Sequence, residues 1–138
     1  MTRNELRQLA DDRLQDALCL ASAGRWSAAF YLAGYAVECG LKACVAKLTN
    51  QDDFPRDRKF VEQCYTHNLD TLVKIAGLKA ALDADIAASA IFDANWRVVV
   101  EWSESSRYEQ TSQVDAMDLI QAISNSPDGV MPWIRRLW

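Results

Sequence analysis

The chain has 138 residues, half of them hydrophobic and a quarter charged, which fits one globular domain with a single core and excludes disorder. Fifteen Lys and Arg against nineteen Asp and Glu leave a net charge of −4. That sign argues against nucleic-acid binding through bulk electrostatics, though not against a small local patch.

The opening "MTRNELRQLADDR" is charged from its third residue and has no apolar signal-peptide core. No apolar run approaches the roughly 20 residues that span a bilayer, so a cytoplasmic protein without a membrane contact is expected. Cys19, Cys39, Cys44 and Cys64 form no C-x-x-C pair, and in a reducing compartment they read as small buried hydrophobes. One histidine and no clustered cysteines argue against a zinc site, and neither a metal nor a cofactor is expected.

From Asn4 to Ala21, Leu6, Leu9, Ala10, Leu14, Ala17, Leu18 and Ala21 recur at spacings of three and four. This predicts an amphipathic helix, stopped by Gly24. Arg25 to about Leu48 differs in kind. Trp26, Phe30, Ala33, Val37, Leu41, Cys44 and Leu48 form one stripe, and Tyr31, Tyr35, Glu38, Lys42 and Val45 a second. A helix apolar on most sides is a central helix covered by others.

"TNQDDFPRDRKF" reads as a connector. "YTHNLDTLVKIAGL" reads as a short helix with Thr66 or Asn68 as cap and Gly77 as stop. Most of Leu82 to Ser103 reads as helix, with a break near Asp93 to Asn95. "SQVDAMDLIQAI" opens on a capping box, Ser112 with Asp115. "NSPDG" is a turn, and "VMPWIRRLW" puts Trp133, Ile134, Leu137 and Trp138 on one docking face. No segment alternates at strand period. The expectation is one all-α domain over residues 1–138, with five or six helices.

Three pieces stand in order: "GRWSAAFYLAGYAVECGLKACVAKL", "YTHNLDTLVKIAGL" and "WSESSRYE". Together they resemble the HEPN family (higher eukaryotes and prokaryotes nucleotide-binding domain) over roughly residues 5 to 125. The family's A-V-E-x-x-L-K-A is similar to Ala36 to Ala43, its T-H-x-L to Thr66 to Leu69, and its R-Y to Arg107 and Tyr108. The resemblance implies a bundle of four main helices plus a short one and a homodimer, and the tail adds a C-terminal helical segment beyond it. Many members are metal-independent ribonucleases marked by Arg, four to six residues, then His. Here the only histidine is His67, and eight residues separate it from Arg58, so the marker is absent. Other members resemble non-catalytic partners of small nucleotidyltransferases in toxin–antitoxin or phage-defence pairs, or nucleotide-binding modules.

Non-catalytic interaction or nucleotide binding is therefore expected. The alternative is a ribonuclease that uses His67 with Arg107 or Arg97 to move a 2′-hydroxyl proton and stabilise phosphorane charge, which would bring an RNA ligand. Each candidate also has an ordinary reading. Glu38 and Lys42 have the order of a self-neutralising helical ion pair. His67 suits a helix start, and Arg107 with Tyr108 a helix end. Trp96, Trp102, Trp133 and Trp138 suit packing better than base stacking. The expected polar groove joins Tyr31, Tyr35, Glu38 and Lys42, closed by His67 and Arg107 with Tyr108 alongside.

Overall fold

The computed structural model describes residues 1–49 and 58–138; most of the expected connector lies outside them. The described residues form eight α-helices, one 3-10 turn and no strand, an all-helical bundle. In chain order they are α1 (Arg3–Ser22), α2 (Trp26–Lys47), α3 (Arg58–Cys64), α4 (Leu69–Ile75), α5 (Lys79–Ala88), α6 (Ala90–Val100), the 3-10 turn (Glu104–Tyr108), α7 (Gln113–Ser124) and α8 (Val130–Arg135).

Short polar side chains fix where these helices begin. Thr2 and Glu5 exchange hydrogen bonds in a full capping box at α1, a start one residue earlier than the apolar spacing alone predicts. Asn68, not Thr66, caps α4 by accepting from the Thr71 amide, while Thr66 accepts from the Asn68 amide. Ser112 caps α7 through the Asp115 amide. Gly24 and Gly77 both take positive φ, the left-handed conformation that glycine enters without a Cβ penalty, and there α1 and α4 stop.

Helix α2 is the central element. It packs most extensively on α1 and also touches α4, the 3-10 turn, α7 and α8. Ala29, Ala33, Ala36, Val37, Leu41 and Ala43 on it are fully buried, and its alanines let neighbouring backbones come close. By length and composition α2 would suffice to cross a bilayer, contrary to the expectation that no run would. The reason it passes is that Glu38 and Lys42 are its only charges before Lys47. Within the bundle 67% of its apolar window is buried, as befits a core helix.

The C-terminal segment docks. Trp133 is 1% exposed and its indole N–H donates to Asp85 on α5 at 2.7 Å. Arg135 reaches Asp11 on α1 at 2.8 Å, and Lys47 donates to the Leu137 carbonyl.

Four sequence expectations change. The described residues hold eight α-helices rather than five or six, because the later part of the chain divides into short helices. The break in the long helical stretch falls at Ser89, not near Asp93 to Asn95. Ser89 ends α5 in extended conformation, and its hydroxyl caps α6 through the Phe92 amide. A short helix, α3, begins at Arg58, where a connector was expected. Only Cys39 and Cys44 are buried: Cys19 is exposed on the outer side of α1, and Cys64 is half-buried at the end of α3.

Candidate functional site

The second stripe of α2 divides into two ends, which the rest of the fold treats differently. At one end lies Glu38, 2% exposed. A carboxylate buried this deeply is costly unless it is paired and hydrogen-bonded. Its Oε1 receives two donors, Lys42 Nζ at 2.9 Å from one turn along α2 and His67 Nδ1 at 2.8 Å. Residues four apart share a helix face, which accounts for Lys42. His67 arrives because the Thr66 and Asn68 bonds fix the loop ahead of α4, and the buried Leu69 and Leu72 seat α4 in the core.

His67 also turns Nε2 to Glu104 Oε2, 3.1 Å away on the 3-10 turn. One imidazole thus bridges α2, the α4 entry and the 3-10 turn. A neutral ring carries a single N–H, so only the doubly protonated ring donates to both carboxylates at once. Either way, both nitrogens face carboxylates.

Beside this cluster, burial is the main cause that raises the Tyr35 hydroxyl to about 12 and the Cys39 thiol to about 11. Tyr35 stacks on Tyr31, and Tyr31 on Trp102, with ring centroids 6.2 and 6.1 Å apart. Trp102 lies flat against Gly34. A Cβ on that glycine would fall 2.2 Å from three indole atoms, so the close approach requires glycine there. The buried Trp102 N–H finds no acceptor among the described residues.

The other end is Tyr31, near the start of α2. Seven residues along a helix is about 10 Å, so Tyr31 and Glu38 face different surroundings. Arg107 lies at the Tyr31 end. Its guanidinium sits 4.8 Å from the Tyr108 ring centroid, and Tyr108, then Glu104 and Tyr31, hold its pKa above the ordinary value. Arg107 therefore does not close the groove over Glu38, whose ion-pair partners among the described residues are Lys42 and His67. Arg97 stands apart on α6, where Asp93 binds it at 2.9 Å and raises its pKa.

A cleft of about 550 Å³ opens at the Tyr31 end, lined by Arg25, Trp26, Ser27, Tyr31, Arg107 and Thr111 among others. Among the described residues no carboxylate lines it, so two arginines and two aromatic residues share one cleft. Arg25 makes no ion pair among the described residues. Such a cleft can hold an anion beside a planar ring.

The structure thus brings Glu38, Lys42 and His67 together and gathers Tyr31, Arg107 and Tyr108 separately. Tyr35 lies between the two groups, and Arg97 belongs to neither. Sequence reasoning missed Glu104, although it stands inside "WSESSRYE", and it missed Arg25. Neither shows a periodic signal, because both act from outside the long helices. Among the described residues, no group of three or more His, Cys, Asp or Glu side chains could hold a metal ion. Compared with family models, with curated proteins and with solved structures, the chain matches none.

Proposed function

We propose that this chain is a non-catalytic helical module of the HEPN type. It works as a homodimer that binds a protein partner, a small nucleotidyltransferase in a toxin–antitoxin or phage-defence pair. One observation carries the non-catalytic part: both His67 nitrogens face carboxylates, Glu38 at 2.8 Å and Glu104 at 3.1 Å. A general base must present a free ring nitrogen to the 2′-hydroxyl, and two flanking carboxylates repel a phosphodiester. Neither arginine completes a site, since Arg97 is tied to Asp93 and Arg107 lies against Tyr108.

The HEPN part rests on the residues that carry the resemblance. Glu38 and Lys42 come from the A-V-E-x-x-L-K-A stretch and His67 from T-H-x-L, and both Lys42 and His67 are bonded to Glu38. The Arg25, Trp26, Tyr31 and Arg107 cleft favours a second reading, in which the module binds a nucleotide.

Incubation with mixed RNA, with and without magnesium, tests the main reading. The RNA is expected to remain intact. Cleavage that disappears in a folded His67→Ala protein would overturn the reading in favour of a metal-independent ribonuclease. Co-purification from the native host is expected to bring down a nucleotidyltransferase, and sedimentation at micromolar concentration to show a dimer.

A further inference from the structure

On the side of the molecule where α6 meets α7, a groove of about 330 Å³ shares Trp102 with the cleft beside His67 and Thr111 with the cationic cleft. Its floor is apolar and comes from Phe30, Val98, Trp102 and Leu119. Trp102 and Leu119 are buried, but Val98 is 42% exposed, so apolar surface reaches solvent there. Four carboxylates ring this floor: Glu101, Glu109, Asp115 and Asp118. All four are exposed. Among the described residues, no lysine, arginine or histidine lines the groove.

Acids elsewhere on this surface mostly have local partners. Asp11 pairs with Arg135, Glu62 with Arg58, Asp70 with Lys74, Asp83 with Lys79 and Asp93 with Arg97. None of the four groove carboxylates makes an ion pair among the described residues. Glu101 is also the C-cap of α6, where the helix dipole is negative and a carboxylate is unfavourable. Its C-terminal neighbour Trp102 lines the groove too, so the negative end of α6 adds to the field of the four acids. Negative charge thus accumulates over an apolar floor, with no ion-pair partner for it among the described residues. The carboxylates do not converge as a metal site does, since no such group of three is found among the described residues.

We infer that this groove docks a cationic peptide segment of a partner protein, one apolar side chain entering the floor between flanking lysines or arginines. The volume suits one or two side chains. Long cationic side chains suit the rim, because their aliphatic stems cover apolar surface while the charged heads reach the carboxylates. The acids steer the encounter and select for basic partners, and the floor supplies the apolar anchor. The inference stands on the groove alone and does not require the partner to be a nucleotidyltransferase.

Fluorescence anisotropy with the full chain tests it, using two labelled synthetic peptides: one alternating arginine and leucine, and one with serine replacing each leucine. The leucine peptide is expected to bind saturably. The double variant Asp115→Asn/Asp118→Asn is expected to weaken it about tenfold. Glu62→Gln/Asp83→Asn removes as much charge elsewhere and is expected to change binding less than about twofold. The serine peptide is expected to bind several-fold more weakly. Absence of saturable binding, an equal loss in both double variants, or equal binding of the two peptides would each overturn the inference. A dimer that dissociates in Asp115→Asn/Asp118→Asn would assign the groove to a second copy of this chain, and would overturn it too.

Discussion

The two ends of the polar stripe on α2 use the same kinds of residue to opposite effect. At the Glu38 end, charged groups bind one another: a buried carboxylate, Lys42 on the same helix and His67 from the loop before α4. At the Tyr31 end, Arg25 and Arg107 line an open cleft with Tyr31 and Trp26, and no carboxylate among the described residues enters it. The first end holds three elements together and has little left for a ligand. The second leaves Arg25 without an ion pair among the described residues. Charge in a mostly apolar helix is thus not itself a sign of a binding site. What decides is whether its hydrogen-bonding capacity is already used within the chain.

The comparison breaks most readily at Lys42. In Lys42→Met the Glu38 carboxylate stays buried and loses one of its two donors, and a loss of about 3 kcal/mol is expected, as for other broken buried pairs. Arg107→Ala, at the open end, is expected to leave the urea midpoint of the wild type unchanged. Urea unfolding of the two variants checks both expectations, and equal losses would erase the distinction between the ends.

A smaller effect is expected in alkali. Tyr35 is raised from 10 to about 12, and Cys39 and Cys44 from 9 to about 11, with burial the main cause for each. Each group therefore holds its proton more tightly in the folded chain than in the unfolded one. Their contribution is complete below about pH 9 and is lost as the pH climbs towards 12. Urea midpoints are expected to fall between pH 9 and 11. Cys19 is exposed, and Cys19→Ser should leave that fall unchanged.

Much of the helical frame is readable in the sequence, because period and capping are local. The spacing of Leu6 to Ala21, the Gly24 and Gly77 stops and the Ser112 start all reflect interactions within a few residues. Ser89 escaped notice because alanines on both sides continue the helix pattern, and only the serine's own hydroxyl cap marks the break. The candidate site divides the same way. Glu38 and Lys42 announce themselves as a pair four residues apart. That His67 rather than Arg107 meets Glu38 depends on how α4 and the 3-10 turn seat against α2, a long-range fact with no local pattern. Glu104 was hidden for the same reason: its role exists only once the 3-10 turn faces the α4 entry. Gly34, one of several small residues in α2, becomes specific only when Trp102 lies on it.

The central claim is that His67 is engaged as a structural partner of Glu38. A double-mutant cycle on Glu38→Gln and His67→Ala, read by urea unfolding, tests it most directly. The account expects the two losses to fall short of additivity by about 1 kcal/mol or more, as for residues in contact. Additivity within about 0.3 kcal/mol would show two independent side chains, and would contradict it.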